Sequence, residues 1–339
     1  MRNHPEITIH DLANELKISA STVSRALSDN IRISDKTREK VRQKAIDMGY
    51  RPNVLAAHLR SKKTNTLGVV VPRIDRYFFS SAISGIEDYA WSKGFNVIIS
   101  QSNDLLLKEI NCVQTLFNNR VDGMIISISM QTNEDKHLKL FSEKNIPIIF
   151  FDRFCPTINS DRILVDDFDS GYKITRHLIE RGCKRIAHIA GPELLNIYKD
   201  RKDGYIKALN ESSISLSEGY LEVTGLTKEE GKQAFARLML LPNPPDGVFC
   251  GNDTTALSAL EYCRQNNLKV PDDVALIGFS DEPFSAVVTP SLSTVKQPGY
   301  LMGFQSAKKI IHRIENLNTI IPFEQIILPT QLIIRESSQ

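Results

Sequence analysis

The chain has 339 residues, more than one hydrophobic core normally holds, which predicts two or three domains. Apolar residues make up 41% and charged residues 24%, as in an ordinary globular protein, and no stretch is apolar enough for a membrane helix. The net charge of +2 is unevenly distributed, because residues 1–63 carry 13 Lys+Arg against 7 Asp+Glu and the remainder carries 29 against 33. A basic N-terminal segment of this kind is typical of a nucleic-acid-binding module.

The N-terminal 20 residues mix Glu6, Asp11 and Glu15 with apolar residues, which is unlike a secretory signal, so we expect a cytoplasmic protein. The cysteines are odd in number, widely spaced and without a C-x-x-C pair, which predicts reduced, mostly buried thiols and neither a disulfide framework nor a zinc site. These cysteines are Cys112, Cys155, Cys183, Cys250 and Cys263.

Residues 1–50 predict helices only. Thr8 is placed to cap a helix that runs through Leu16, Ser19 to cap Ala20–Leu27, and Ser34 to cap a third helix over residues 35–48, which Gly49 ends. Apolar residues at helical spacings are numerous enough for a three-helix mini-core. They are Leu12, Leu16, Ile18, Val23, Leu27, Ile33, Val41, Ala45 and Met48.

Residues 51–65 predict a short helix over 54–60 and a polar connector, where we place the domain boundary. From Thr66 onward, short apolar runs alternate with amphipathic helical segments, which predicts doubly wound parallel sheets. The runs are 67–71, 95–99, 124–128, 146–151, 186–190, 248–250 and 274–278. Residues 121–126 resemble residues 245–250, which suggests two α/β halves with a ligand cleft at the carboxyl ends of the strands.

The second predicted helix has the character of a DNA-reading helix. Val23 and Leu27 face the mini-core, which leaves Ala20, Ser21 and Arg25 on the outer face. Arg25 is suited to a bidentate contact with guanine, and Ser21 to several base edges. Short hydroxyl side chains suited to phosphate contacts follow: Thr22, Ser24, Ser34 and Thr37. The alternative is a small amphipathic helix with a solvated face.

Residues 8–13, 19–27, 37–41 and 49–53 together resemble the headpiece of the lac/galactose repressor family. This resemblance implies a helix-turn-helix that binds DNA, and it adds Thr8, His10, Arg32 and Tyr50 to the DNA contacts. Lys17 departs from the pattern, because the family usually has glycine in the turn. A left-handed Lys17 would be strained by about 1 kcal/mol.

The resemblance continues through the family's hinge helix, where Asn53, Ala56 and Leu59 would contact DNA. Leu59 matches the leucine that the family inserts into the central minor-groove step, where contacts to the kinked duplex offset the cost of unstacking. The alternative is a helical linker in which Leu59 packs on the core.

The rest of the chain resembles the family's sensing core, which shares its fold with periplasmic sugar-binding proteins. The matching segments are 85–87, 121–123, 151–153, 251–253, 276–279 and 289–295. The resemblance implies an N-subdomain (about 66–165 and 297–323) and a C-subdomain (about 166–296 and 324–339). Their crossovers are expected near Val165, Gln297 and Phe323, with residues 325–334 as a returning strand.

The family's ligand positions fall on polar and aromatic residues after the predicted strands, and Arg201 would open a helix. They are Phe78, Phe79, Asp152, Arg201, Phe249, Asn252, Asp253, Ser280 and Asp281. The phenylalanines have the alternative of ordinary core packing, Asp152 that of an ion pair with Arg153, and Asn252 and Asp253 that of capping a helix.

Three further residues bear on the ligand. The family often has Asp where this chain has Ser280, which removes one expected sugar anchor. Purine-sensing members have Arg where this chain has Leu195, which argues against a purine corepressor. Trp91, the single tryptophan, lies in a predicted helix and is expected in the core.

These features predict a homodimeric transcription repressor that binds a pseudo-palindromic operator and responds to a sugar or sugar phosphate in the cleft. Residues 336–339 contain no heptad that would add a tetramerisation helix. Two alternatives are a phosphorylated carrier protein as effector and a solute-binding protein without a DNA role. An enzyme is disfavoured, because the P-loop, G-x-G-x-x-G, H-E-x-x-H and G-x-S-x-G motifs are absent, and no cofactor or metal is expected.

Overall fold

The structure, a computed structural model, describes residues 7–50 and 64–339. The chain divides into two compact units, Met1–Thr64 and Asn65–Gln339. We call the described part of the first unit, residues 7–50, the headpiece, and we describe each unit by itself.

The headpiece contains the three predicted helices. They are α1 (Ile9–Leu16), α2 (Ala20–Leu27) and α3 (Asp35–Asp47). The mini-core consists of buried residues from all three helices, with other apolar residues packed around it. The buried residues are Leu12, Ala13, Val23, Ala26, Val41 and Ala45. Helical periodicity therefore predicts which face of each helix is buried.

Lys17 ends α1 in the left-handed conformation, with φ 55° and ψ 41°. Its N–H donates to the carbonyl oxygens of Ala13 and Asn14, so the turn is formed despite the departure from glycine. A residue with a β-carbon is strained in this region, by roughly 1 kcal/mol.

Lys17→Gly is expected to raise the free energy of unfolding of the headpiece by about 0.5–1 kcal/mol, because glycine adopts this conformation without the β-carbon clash. Lys17→Ala is the matched control, because it removes the exposed side chain but keeps the β-carbon. Urea denaturation of both variants measures the effect. Equal stabilities of the two variants would show that the turn is unstrained.

The second unit contains two subdomains, each a parallel sheet covered by helices on both faces. Subdomain 1 has a six-stranded sheet in the order β11-β5-β4-β3-β1-β2. Its strands are β1 (Thr66–Val71), β2 (Asn96–Gln101), β3 (Gly123–Ile126), β4 (Ile148–Phe151), β5 (Asp161–Val165) and β11 (Gln325–Leu328). Helices α4 (Tyr77–Ser92) and α11 (Gly299–Glu315) cover one face, and α5 (Leu106–Asn118) and α6 (Lys136–Ser142) cover the other.

Subdomain 2 has a four-stranded parallel sheet in the order β7-β6-β8-β9. Its strands are β6 (Ile186–Ala190), β7 (Leu221–Val223), β8 (Gly247–Cys250) and β9 (Ala275–Ile277). Helices α7 (Asp167–Arg181) and α8 (Asn196–Glu211) cover one face, and α9 (Lys228–Met239) and α10 (Asp253–Gln265) cover the other. The predicted doubly wound architecture is therefore confirmed in both subdomains.

Three crossovers join the subdomains. The first follows Val165, and the second follows β10 (Thr294–Lys296), which pairs antiparallel with β12 (Gln331–Ile333). The third was expected near Phe323, and this expectation is wrong, because β11 pairs with β5 and still belongs to subdomain 1. The predicted returning strand is also broken, since Pro329 cannot donate to a ladder and separates β11 from β12.

Glycines bring one pair of helices together in each subdomain. A β-carbon at Gly303 of α11 would lie 1.8 Å from the Ala82 carbonyl oxygen of α4. In subdomain 2, a β-carbon at Gly171 of α7 would lie 2.2 Å from the Arg201 carbonyl oxygen of α8. The helix pairs therefore depend on glycine for their close approach.

Trp91 was expected in the core, and this expectation is wrong. Its side chain is 82% exposed near the end of α4. Ala90, the preceding residue, is fully buried, and one residue further along a helix rotates the side chain by about 100° away from the core.

Within the part of the chain that the structure describes, no helix has the length and apolarity to span a membrane.

Candidate functional site

Each headpiece helix begins at a hydroxyl side chain that caps it. Thr8 accepts a hydrogen bond from the Asp11 N–H, and Asp11 Oδ2 accepts one from the Thr8 N–H at 2.8 Å, which completes a capping box. Ser19 Oγ accepts from the Thr22 N–H at 3.1 Å, and Ser34 Oγ does the same for Thr37 at 3.3 Å. Helix N-termini ordered in this way present N–H groups that are suited to phosphate oxygens.

The outer face of α2 carries an arginine, Arg25, that makes no ion pair with the other described residues. Ser21 and Arg25 are exposed and lie four residues apart on the same face, and Ala20 is half-buried. Among the residues that the structure describes, Arg25 has no acceptor within hydrogen-bonding distance. The guanidinium of Arg42 is instead paired with Asp29. The Lys44 ammonium lies 2.7 Å from Glu15 Oε1.

The other predicted DNA residues of the headpiece lie at its surface or partly within it. Thr8, His10, Arg32 and Ser34 are exposed, whereas Thr22, Ser24, Thr37 and Tyr50 are half-buried. Tyr50 packs against the mini-core, so only part of its side chain is accessible. The predicted hinge residues Asn53, Ala56 and Leu59 lie outside the described residues.

A cavity of about 180 Å³ lies between the two subdomains, beyond the carboxyl ends of their strands. One water needs roughly 10–15 Å³ by this measure, so the cavity admits a ligand of many heavy atoms. It brings together seven of the nine predicted ligand residues: Phe78, Phe79, Asp152, Arg201, Asn252, Asp253 and Ser280. This is the place that doubly wound sheets provide for a ligand.

Arg201 is a buried cation at the cavity wall, in the second turn of α8 rather than at the helix start expected from the sequence. Its Nε lies 2.7 Å from Asp167 Oδ1, and its Nη1 donates to the Gly251 carbonyl oxygen at 3.1 Å. The guanidinium carbon lies 3.4 Å from the centre of the Phe279 ring. The ion pair and the stacking hold the guanidinium in one orientation against the cavity.

Asp152 is a buried carboxylate with weak protein partners. Its Oδ1 is 3.4 Å from the amide nitrogen of Gln297, and its Oδ2 is 3.7 Å from Nε of Arg153. Burial raises the pKa of Asp152, although the guanidinium groups of Arg153 and Arg201 act in the opposite direction. The carboxylate therefore has hydrogen-bonding capacity that a ligand donor can use.

Arg153 is the second buried cation at the cavity. Its Nη1 lies 2.5 Å from Asp104 Oδ1, which is a closer ion pair than the one with Asp152. Its Nε is buried and has no hydrogen-bond partner among the described residues. The sequence offered a strand-end ion pair between Asp152 and Arg153 as an alternative, and in the structure this ion pair is long, at 3.7 Å. Both residues line the cavity.

Asn252 and Asp253 are engaged by the protein itself. Asn252 caps α10 by accepting from the Thr255 N–H at 2.8 Å, as the capping alternative predicts. Asp253 is fully buried and accepts hydrogen bonds from the Glu282 N–H at 2.7 Å, the Ser285 hydroxyl at 3.0 Å and the Thr294 hydroxyl at 2.6 Å. Asp253 therefore joins three segments of subdomain 2 beneath the cavity floor.

Left-handed backbone conformations cluster around the cavity. Asp152 has φ 61°, Leu226 φ 56° and Ser280 φ 117°, and all three residues line it. Asn103 and Asp104 in the cavity wall also have positive φ values. Conformations of this kind cost about 1–3 kcal/mol each for ordinary residues and concentrate at functional sites.

Two predicted ligand residues lie outside the cavity. Phe249 is fully buried on the face of β8 that packs against α7 and α8. Its ring stacks on His188, with ring centres 4.1 Å apart. The prediction is wrong because β8 is buried on both faces, so its sequence does not show which residue faces the cleft. Asp281 lies beside a neighbouring pocket, and its Oδ1 is 2.8 Å from Arg335 Nη2.

His188 makes the stability of subdomain 2 dependent on pH. Its Nδ1 lies 2.9 Å from the Phe249 carbonyl oxygen, and its Nε2 is buried without a partner among the described residues. Burial lowers the pKa of His188 to about 4 from its ordinary 6.5. The unfolded state therefore binds a proton at a higher pH than the folded state. The contribution of the neutral His188 side chain to the free energy of unfolding is therefore complete above pH 6.5 and is lost as the pH falls towards 4.

His188→Phe is expected to remove this pH dependence and to retain the stacking on Phe249. Between pH 7.5 and pH 5, the wild-type protein should lose about 2 kcal/mol relative to the variant. Denaturation of both proteins at each pH measures the difference, in which the contributions of the other titrating groups cancel. A constant difference between the two proteins would mean that His188 titrates normally.

The sequence reasoning missed several residues of the cavity wall. They include Arg73, Arg76, Asp104, Tyr198, Glu282 and Gln297. Asp104 and Gln297 follow strands β2 and β10, so their position after a strand end was an available signal. Arg76 and Glu282 are 206 positions apart, and nothing in the local sequence connects them.

The headpiece with its exposed reading helix, followed by two α/β subdomains around a cavity, defines a class of protein. This is the layout of a transcription regulator that joins a DNA-binding unit to a binding-protein-like unit. Residues 8–53 match the family model described as bacterial regulatory proteins, lacI family, and residues 175–338 match that of a periplasmic binding protein-like domain.

Relatives and solved structures agree with this assignment. The chain is 30% identical over 333 residues to the HTH-type transcriptional repressor CytR of Escherichia coli (strain K12), covering 98% of this chain and 96% of CytR. It is similar to the lac repressor dimer bound to operator and the anti-inducer ONPF, with a TM-score of 0.85, 25% identity and coverage of 98% and 99%. The transcriptional regulator CelR–cellobiose complex gives a TM-score of 0.74, 26% identity and coverage of 98% and 100%.

The chain belongs to the lacI family of bacterial regulatory proteins. It is a DNA-binding transcriptional repressor and not an enzyme.

Proposed function

We propose that this repressor is a homodimer whose affinity for a pseudo-palindromic operator is controlled by a sugar or sugar phosphate in the cavity between its subdomains. The observation that carries the proposal is the buried Asp152 carboxyl group, which among the described residues has one hydrogen bond, from the Gln297 amide at 3.4 Å, and one ion-pair contact, with Arg153 Nε at 3.7 Å. A buried carboxyl group with so few hydrogen bonds is costly unless a ligand completes them.

The cavity supplies the groups that a polyhydroxylated ligand needs. Asp152 accepts hydrogen bonds from ligand hydroxyls, and the buried Arg201 and Arg153 guanidinium groups donate to ligand oxygens. Phe78 and Phe79 contribute an aromatic wall for the apolar face of a sugar ring. The CelR structure holds cellobiose, which supports a sugar as the ligand class.

The headpiece supplies the groups that bind DNA. Arg25 and Ser21 read base edges from the outer face of α2. The remaining headpiece residues position the duplex through its backbone. They are Thr8, His10, Thr22, Ser24, Arg32, Ser34, Thr37 and Tyr50, whereas Ala20 shares the outer face of α2 with Ser21 and Arg25.

An apolar surface around the edge strand β2 supports the dimer. Ile74 and Leu107 are 50% and 75% exposed, and Ile99 and Leu105 nearby are also exposed. Gln101 at the end of β2 links this strand to the segment that carries Ile74, since its side chain accepts a hydrogen bond from the Ile74 N–H at 2.9 Å. An apolar patch of this kind is typical of an interface.

The proposed function also implies a location. A repressor that binds operator DNA in a bacterial cell acts in the cytoplasm.

Selection of bound sequences from a random duplex library, repeated with a panel of sugars and sugar phosphates, tests the proposal. We expect one palindromic sequence to be enriched, and one compound of the panel to change its recovery. Enrichment without a response to any compound would contradict control by a sugar and would favour a phosphorylated carrier protein as effector. No enrichment under any condition would contradict operator reading itself.

Calorimetry with the compound found in this way then tests the cavity. Asp152→Asn is expected to weaken binding of the compound and to leave operator binding without ligand intact. Asp203→Asn is the matched control, because this acid on α8 pairs with Lys199 and does not line the cavity. Equal affinities of both variants for the compound would remove Asp152 from the binding site.

A further inference from the structure

The N-terminus of α4 lies at the cavity and is capped from the opposite subdomain. Its N-cap residue, Arg76, makes no capping hydrogen bond with its side chain. Glu282 of subdomain 2 accepts instead from the Tyr77 N–H, with Oε1 at 3.2 Å and Oε2 at 3.4 Å. The first N–H groups of a helix have no acceptor within the helix. The Glu282 carboxylate therefore supplies the Tyr77 N–H with an acceptor from the opposite subdomain.

Arg76 makes a second contact across the cleft, and its donor is again in subdomain 1. Its Nη1 donates to the hydroxyl of Thr254, which lies in the first turn of α10. Subdomain 1 thus donates at both contacts, and subdomain 2 accepts at both. The two donors are neighbouring residues of the chain, Arg76 and Tyr77, and separation of the subdomains would break both contacts.

Glu282 is held in place for this contact. Its own N–H donates to Asp253 Oδ2 at 2.7 Å, and Asp253 is anchored to Ser285 and Thr294. The residue is only 9% exposed. An exposed ion pair contributes little to stability, but a partly buried carboxylate that bonds to a helix N-terminus gains from both the hydrogen bond and the helix dipole.

We propose that Glu282 and Arg76 form a latch between the subdomains that sets the fraction of closed molecules when the cavity is empty. The proposal rests on the cavity-controlled repressor proposed above. Both contacts exist only when the subdomains approach, so the latch favours the closed state by its own free energy. A ligand then shifts only the remaining open fraction, and the latch strength sets the ligand concentration at which the repressor responds.

Hydrogen–deuterium exchange of the full-length protein without ligand tests the latch. Two variants each remove one contact: Glu282→Gln removes the charged cap, and Thr254→Val removes the acceptor of Arg76 while retaining its branched shape. The informative amide is that of Phe154, which donates across the subdomains to Asn196 Oδ1 at 3.3 Å, away from the latch. We expect its exchange to become roughly two- to tenfold faster in both variants.

Asp75→Asn is the matched control, because Asp75 lies on the same loop but its carboxylate bonds to Arg73 within subdomain 1. Exchange at Phe154 should stay at the wild-type rate in this variant. An unchanged Phe154 rate in both latch variants would overturn the latch, even if the Tyr77 amide exchanged faster, because Glu282 would then be a local helix cap only.

Operator affinity separates the latch from the proposed function. On the duplex recovered by selection, both latch variants should shift the affinity in the same direction, and Asp75→Asn should not. Faster exchange at Phe154 with unchanged operator affinity would support the latch and would contradict the coupling between the cavity and DNA.

Discussion

Arg25→Ala is expected to weaken binding to the selected operator by about 1–3 kcal/mol, or about 5- to 150-fold. The reason is that Arg25 is exposed on the outer face of α2 and has no acceptor among the described residues, so its guanidinium is available for a guanine edge. The variant should also tolerate more bases at one position of each half-site. Fluorescence anisotropy with duplexes substituted at each position in turn measures both effects.

Arg42→Ala is the matched control, because it removes the same charge from the headpiece but from a side chain already paired with Asp29. It should lower affinity equally for all duplexes, through the salt-dependent phosphate attraction alone. If Arg25→Ala behaved in the same way, with unchanged base preference, Arg25 would contact only the DNA backbone.

Asp253→Ala is expected to destabilise subdomain 2 by about 3–5 kcal/mol, because a buried donor left without an acceptor costs about 1–3 kcal/mol. Three donors bond to this buried carboxylate, and each would lose its partner. Burial raises the pKa of Asp253 to about 6, so the ionised form at pH 7 depends on these donors. Chemical denaturation and the yield of folded protein measure the effect. Loss of ligand response would then accompany loss of fold.

Glu229→Ala is the matched control for Asp253→Ala. Glu229 is also an acidic residue in the first turn of a helix, but it is exposed. Its replacement should change the free energy of unfolding by less than about 0.5 kcal/mol. A stably folded Asp253→Ala protein that had lost its ligand response would restore Asp253 to the role of a direct ligand contact.

Local chemistry explains why the headpiece could be predicted in detail. Caps at Thr8, Ser19 and Ser34 act within three residues, and the apolar period of each helix identifies its buried face. Lys17 illustrates the same point, since the family pattern of glycine in the turn identified a left-handed position that the structure confirms.

The sheets and the cavity were predictable for a different reason. Each apolar run marks a buried strand, and parallel strands place the residues that follow them at one edge. This reasoning agrees with the family resemblance that assigned Asp152, Asn252 and Ser280 to the ligand site, and all three line the cavity. It failed for Phe249, because a strand buried on both faces has no alternation to show the direction of a side chain.

Contacts between distant segments could not be predicted. The third crossover was placed near Phe323 from the family resemblance, and only the pairing of β11 with β5 shows that this strand belongs to subdomain 1. The contacts of Glu282 with Tyr77 and of Arg76 with Thr254 depend on how the two subdomains approach each other. No local pattern records this approach.

The close crossing of α7 and α8 would let a repressor that binds a ligand in the cavity, as proposed above, change its preferred ligand without changing any residue that touches the ligand. Gly171 has no β-carbon, and the atom that such a carbon would strike is the carbonyl oxygen of Arg201. A larger residue at this position would push the segment that carries the guanidinium. Substitutions on the outer layer of subdomain 2 are therefore a route by which related repressors could diverge in specificity while their binding residues stay identical.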